Sequence, residues 1–138
     1  MNTMKTVESE GKTYAHFFLS AMPSDEEVQF ITQDKDPIQV GIFKRDANYH
    51  VKAHSHLPRK LDLEHVGEFL LIQSGAALVK IYDEDWNLLC AHTVNTGDCA
   101  IFLRGGHELT MLEPTRILEV KQGPFIPRPK DKTFRPTS

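Results

Sequence analysis

The sequence predicts an all-β domain, either a sandwich or a barrel. Short apolar runs alternate with turn signals from about residue 38 to residue 122, which is the pattern of many short strands. The chain of 138 residues is 40% hydrophobic and 25% charged, values typical of a globular domain with a buried core. We therefore expect a single domain over residues 1–138, with a barrel at about 37–122 and a proline-rich, extended tail at 123–138.

Eight short strands are predicted in chain order, separated by turn signals such as Asn-Thr-Gly-Asp. They cover residues 38–45, 49–56, 68–75, 76–87, 88–94, 99–103, 107–112 and 116–122. Before them, Ser24 is suited to be a helix N-cap with Glu27 as its capping-box partner, which favours a short N-terminal helix over residues 23–30. Residues 28–31 would also serve as a strand.

The tail after Gly123 has prolines at positions 124, 127, 129 and 136. Proline lacks a backbone N–H, so this segment is predicted to form neither a central strand nor a regular helix. It is expected to be a solvated, extended arm or to lie across a neighbouring subunit.

Composition and charge argue against several classes of protein. The formal net charge is −3 and no large basic block is present, so nucleic-acid binding is not expected. No apolar run has the length of a membrane span, and the first residues lack the order of a signal peptide. Cys90 and Cys99 do not form a Cys-x-x-Cys pair and lie beside apolar residues, which favours two reduced, buried thiols in a cytoplasmic protein.

The stretch "YHVKAHSH" (49–56) holds three of the seven histidines in the chain. Residues two apart in a strand share a face, so His50, His54 and His56 would point the same way. A His-x-His pair supplies two imidazole ligands to a metal, whereas a half-exposed strand with histidines facing water is the alternative. His50 lies about 13 Å from His54 along a strand and is therefore expected at the rim of a pocket.

Glu68 and His107 each open a later predicted strand, and in a barrel both could reach the same interior end. Together with the histidines they form two motifs, "HSHLPRKLDLEHVGEFLLIQSG" (54–75) and "GDCAIFLRGGH" (97–107). These resemble the two motifs of the cupin family: His-x-His, then Glu, six residues and Gly; and Gly, five residues, Pro-x-Gly and His. The matching positions are His54, His56, Glu68, Gly75, Gly97, Gly105 and His107.

The cupin resemblance implies a double-stranded β-helix, or jelly-roll barrel, and a metal site. The implied ligands are His54, His56, Glu68 and His107, which suit manganese, iron, cobalt, nickel, copper or zinc. Two departures from the family pattern stand out: Leu103 replaces the usual proline, and eleven residues separate His56 from Glu68. The longer loop brings in Glu64 as a competing carboxylate ligand, although the spacing to Gly75 favours Glu68.

The segment "RILEVKQGPF" also resembles small cupins found among proteins of bacterial surface-polysaccharide biosynthesis. This resemblance implies a homodimer acting on a small polar molecule, such as a carbohydrate or a nucleotide-sugar derivative. The metal would support isomerase, epimerase or lyase chemistry; a non-catalytic, metal-dependent binding protein and an iron-dependent dioxygenase are the alternatives.

The substrate side of the site has weaker signals. The candidates for substrate binding are His50, Arg59, Arg104 and Lys121. The sequence identifies no catalytic residue. A general acid or base would have to lie outside the ligand set, and the candidates for this role are Glu64, Glu119 and Tyr82. On the last strand, Leu118 and Val120 are expected in the core, which favours a solvent-facing position for Glu119 and Lys121 over a place in a polar pocket.

Overall fold

The structure is a computed structural model, and it describes residues 4–136. Within this range the chain forms ten strands and one short helix. The strands are β1 (Lys5–Ser9), β2 (Lys12–Leu19), β3 (Val28–Phe30), β4 (Gly41–Phe43), β5 (Glu68–Ser74), β6 (Ala76–Tyr82), β7 (Leu88–Asn95), β8 (Asp98–Phe102), β9 (Gly106–Met111) and β10 (Arg116–Lys121), and the helix is α1 (Arg128–Asp131).

The strands form three antiparallel sheets. The largest has five strands in the order β1-β2-β8-β5-β10, a second has three in the order β7-β6-β9, and β3 pairs with β4. The prediction of an all-β domain is confirmed. The sheets formed by residues 4–136 do not close into a barrel.

The main core lies between the five-stranded and the three-stranded sheets. Its most buried members come from both sheets and include Ile72 on β5, Val79 and Ile81 on β6, and Val94 on β7. The alternation of side chains along each strand sends these residues to one side of their sheet, where the two layers exclude water together.

The opposite face of the five-stranded sheet carries a second apolar cluster. Cys99, Ile101 and Leu103 point to this side from β8 and its C-terminal end, and the β3–β4 hairpin region covers them. Both cysteines are free thiols, as predicted; Cys99 is buried, whereas Cys90 is half-buried. β8 is therefore apolar on both faces because it lies in the middle layer of the molecule.

Six of the predicted strands, from residue 68 to residue 122, are confirmed as β5 to β10. The strand predicted at 38–45 is confirmed only over Gly41–Phe43. The strand predicted at 49–56 is wrong, because the whole segment 44–67 has no strand. Tyr49 and Val51, the apolar residues that alternate with polar ones here, are 55% and 65% exposed, so the alternation in this segment has no layer to pack against.

The short helix predicted at 23–30 is also wrong. The Ser24 hydroxyl accepts a hydrogen bond from the backbone N–H of Glu26 at 3.3 Å, which closes a local turn instead of capping a helix. Residues 28–30 then extend as β3 and pair with β4, the strand alternative for this segment.

The tail was predicted to hold no regular helix, and this is wrong for the four residues of α1. Pro129 occupies the first turn of α1, where a helix needs no N–H from it and the fixed backbone angle of proline favours helix formation. The rest of the described tail has no regular secondary structure, in agreement with the prediction.

Candidate functional site

An acidic side chain and a histidine meet between the two large sheets. Glu68 opens β5 and His107 lies near the start of β9, and Glu68 Oε2 is 3.0 Å from His107 Nε2. The Glu68 side chain is 11% exposed and that of His107 is 36% exposed, so the pair lies at the edge of the core with access to solvent. We call Glu68 and His107 the acid–histidine pair.

The ring of His107 stacks on Phe102, with ring centroids 4.2 Å apart and planes inclined by 18°. Phe102 pairs directly with Glu68 across β8 and β5, so the two residues share a face of the five-stranded sheet. Phe102 thereby fixes the plane of the imidazole next to the carboxylate. Sequence reasoning missed this contact, although Phe102 lies only five residues before His107.

A compact glycine turn delivers His107 to this position. Gly105 has a left-handed backbone with φ of +71°, and a Cβ atom there would lie 2.3 Å from the carbonyl oxygen of Tyr82. A Cβ atom on Gly106 would lie 2.3 Å from the ring of Trp86. Only glycine tolerates this approach, and β9 then places His107 opposite the buried Ile81.

The carboxyl group of Glu68 has two hydrogen-bonding partners. Burial would raise the pKa of Glu68, but hydrogen bonds from His107 and from Glu119 lower it to about 2. The same bond to Glu68 raises the pKa of Glu119, and burial adds to this rise. The two carboxyl groups therefore shift in opposite directions: the ionised form is favoured at Glu68 and disfavoured at Glu119.

The register of the last strand corrects the prediction that Leu118 and Val120 are buried, while Glu119 and Lys121 are exposed, as favoured. In the pairing of β10 with β5, Lys121 lies opposite Glu68 and Glu119 opposite Leu70, so both share the face of the acid–histidine pair. Leu118 and Val120, expected in the core, are 47% and 52% exposed on the other face. Because β5 already has a buried side, its register decides which face of β10 points inward.

Lys121, a predicted substrate-binding residue, lies at the rim of the same site. Its Nζ atom is 3.3 Å from Oδ2 of Asp131 on α1. The positive charge of Lys132, the residue after Asp131, favours the ionised forms of both Glu68 and Glu119, although hydrogen bonding and burial still raise the pKa of Glu119. The tail therefore folds back onto its own subunit beside the acid–histidine pair.

The two remaining predicted ligands lie in the segment 44–67, which we call the histidine segment. His54 and His56 are both exposed, their ring centroids are 5.6 Å apart, and His54 Nδ1 is 2.7 Å from the carbonyl oxygen of Lys52. Within residues 4–136, no three side chains of the His, Cys, Asp or Glu type are grouped so that they could hold a metal. The structure thus brings the four predicted ligands together as two separate pairs.

The other predicted substrate residues are distributed differently. His50 and Arg59 are exposed in the histidine segment. Arg104 donates from Nε to Glu84 Oε1 at 2.6 Å, and Tyr14 donates to the same carboxylate. Burial would raise the pKa of Glu84, but hydrogen bonds from Tyr14 and Arg104 lower it to about 2.

Arg104 also lines a polar cavity of about 320 Å³. Glu64, the competing carboxylate ligand, lines the same cavity together with His65. Neither Glu68 nor His107 is among the lining residues, so Arg104 and Glu64 lie at a cavity separate from the acid–histidine pair.

The acid–histidine pair has donors of the type that a divalent transition metal takes. Two ligands bound at about 2.1 Å from one ion and at right angles to each other are about 3.0 Å apart. Glu68 Oε2 and His107 Nε2 have this separation, which is also that of the hydrogen bond joining them, so a metal would have to displace the proton between the two atoms. Imidazole nitrogen with carboxylate oxygen suits metals from manganese to zinc, so the pair fits half of the predicted set.

Comparisons with protein-family models, with curated proteins and with solved structures found no match. Among residues 4–136, no helix is long and apolar enough to cross a membrane.

Proposed function

We propose that this chain is a cupin-type, metal-binding protein that acts on a small polar molecule such as a carbohydrate or a nucleotide-sugar derivative. The observation that carries the proposal is the contact at 3.0 Å between Glu68 and His107, which come from opposite sheets. They lie 39 positions apart in the chain at the places where the two cupin-like motifs put a carboxylate and a histidine ligand.

The histidine segment would supply the other two ligands. Twelve residues of extended chain span about 40 Å, so the connection from His56 to Glu68 is long enough to bring both imidazoles to the pair. The segment is exposed and forms no strand, so its movement breaks few contacts. Three imidazoles and one carboxylate would leave positions on the metal for a substrate.

The chemistry that a bound metal supplies here is polarisation of a carbonyl or hydroxyl oxygen of the substrate. Isomerase, epimerase or lyase chemistry also needs a proton-transfer group outside the ligand set. Glu119 lies on the same sheet face as Glu68 and shares a hydrogen bond with it. Its position supports an enzyme over a non-catalytic binding protein.

A homodimer in the cytoplasm completes the proposal. β10 is an edge strand of the five-stranded sheet, and its outer face exposes Leu118 and Val120. Exposed apolar residues on an edge strand favour association with another chain. The two free thiols fit a reducing compartment.

Solvent-deuterium incorporation tests the enzymatic proposal. Protein loaded in turn with manganese, iron, nickel or zinc would be incubated in D2O with a panel of sugars and nucleotide sugars, and the mass of each recovered sugar measured. We expect deuterium exchange at a C–H bond with the wild type and at least a hundredfold slower exchange with Glu119→Gln.

An oxygen electrode run in parallel detects the competing oxygenase reaction. Oxygen uptake with the iron-loaded protein and no deuterium exchange would replace the proposal by a dioxygenase. Sugar binding without either signal would replace it by a non-catalytic binding protein.

A further inference from the structure

The described tail after Gly123, residues 124–136, passes beside the acid–histidine pair on its solvent-exposed side. We call this segment the strap. Asp131 on α1 reaches Lys121 at the end of β10. Further along, the guanidinium of Arg135 lies 5.1 Å from the ring centroid of Tyr82 on β6. The strap therefore connects the five-stranded sheet to the three-stranded sheet on the side where Glu68 and His107 meet.

The strap is held by polar contacts and buries almost nothing. α1 has no buried residue, and the two phenylalanines of the strap, Phe125 and Phe134, are 88% and 71% exposed. The ion pair of Lys121 with Asp131 is partly exposed, and such pairs contribute little to stability. A segment with few apolar contacts opens at low cost in free energy.

Asp131 stands apart from the rest of the strap because its carboxylate is directed at the site. Its side chain is 16% exposed, and Oδ2 accepts a hydrogen bond from Lys121 Nζ at 3.3 Å. Lys121 pairs with Glu68 across β10 and β5 and shares its sheet face, so the side chain of Lys121 lies on the same side of the sheet as the acid–histidine pair. The carboxylate of Asp131 thus occupies the place that an anionic group on a ligand would take.

We propose that the strap is an internal, displaceable competitor, and that the ligand of this site carries an anionic group, a carboxylate or a phosphate, which binds Lys121 in place of Asp131. The inference rests on the proposed function in taking the acid–histidine pair as the ligand site. Release of Asp131 frees the ammonium group of Lys121 for the incoming anion. The strap moves when the anion binds.

Inorganic phosphate is the probe for the test, in buffers matched for ionic strength. The metal-free, 15N-labelled full chain would be titrated, and the dissociation constant obtained from the amide resonance of Lys121. Asp131→Asn is expected to bind phosphate at least fivefold more tightly than the wild type, because no competitor has to leave. Lys121→Met is expected to lose the binding. Asp34→Asn removes an equal charge from another exposed turn and is expected to match the wild type.

The mobility of the tail distinguishes two explanations for tighter phosphate binding by Asp131→Asn: a strap that phosphate displaces, and a carboxylate that only repels phosphate. The heteronuclear NOE of residues 125–135 in the wild type is expected to fall at saturating phosphate, because the strap is released. The inference is overturned if mobility does not change, if Asp131→Asn binds less than twofold more tightly, or if Asp34→Asn gains as much. None of these results depends on metal, so a chain that binds no metal but shows the Asp131 effect would refute the metal proposal and keep the strap.

Discussion

Glu68 and His107 meet at 3.0 Å although one opens a strand of the five-stranded sheet and the other a strand of the three-stranded sheet. Their contact closes one end of the core, and Phe102 stacks against the imidazole from the same side. The pair therefore joins the two layers of the fold and offers an oxygen and a nitrogen ligand at one point. A change at either residue is expected to affect both stability and metal binding.

The ionisation of Glu68 makes a prediction about stability at low pH. Its pKa is lowered to about 2 in the folded chain, below the value of an unfolded carboxyl group. The ionised group thus stabilises the fold above about pH 4.5, and this contribution is lost as the pH falls from about 4.5 to 2.

Urea unfolding of the wild type and of Glu68→Gln at pH 7, 5 and 3 measures this contribution. The wild type is expected to be the more stable protein at pH 7, and the difference should shrink at pH 3. A difference that stays constant over this range would contradict the assignment of the low pKa to Glu68.

Gly105 is predicted to be essential for the position of His107. Gly105→Ala forces a Cβ atom to within 2.3 Å of the Tyr82 carbonyl oxygen in a left-handed backbone, so the turn must shift. We expect a loss of about 2–4 kcal/mol in the free energy of unfolding and weaker metal binding.

Gly11→Ala is the matched control for Gly105→Ala. Gly11 has a similar φ of +74°, but nothing lies within 4 Å of a Cβ atom built there. This variant should lose only about 1 kcal/mol and keep its metal affinity. Equal losses in the two variants would show that backbone strain alone, and not the crowding before His107, determines the effect.

The outer face of β10 is predicted to form the dimer interface. Replacing Leu118 and Val120 together by lysine places two charges on this face and should give a monomer of 15.7 kDa by light scattering. Leu57→Lys, at a residue that is 84% exposed in the histidine segment, should leave the dimer intact. A wild type that is already monomeric, or a double variant that stays dimeric, would remove this face from the proposal.

The strands from residue 68 onward were predictable because each is short, alternates in polarity and ends at a clear turn. β2 carried no such signal: it is buried along most of its length between β1 and β8, so its sequence "KTYAHFFL" does not alternate. A central strand packed on both faces is apolar throughout, and an alternation search passes over it.

The candidate site shows the same limit at the level of single residues. The two motifs led us to expect Glu68 and His107 at the same end of the fold, and the structure brings their side chains to 3.0 Å. Leu118 and Val120 were expected in the core, whereas the register with β5 turns them outward and puts Glu119 on the face of Glu68, where it is exposed. Residues 49–56 of the histidine segment were predicted as a strand from alternation alone, but a strand also needs a neighbour to pair with, which a single segment of sequence does not reveal.

Metal content of tag-free protein tests the central claim most directly. The wild type and each variant would be soaked with manganese, iron, nickel and zinc, desalted and analysed by mass spectrometry. We expect near-stoichiometric metal in the wild type and in the control His65→Ala, and loss of metal in His54→Ala, Glu68→Gln and His107→Ala. A wild type that retains no metal, or a His107→Ala variant that retains as much as the wild type, would contradict the account.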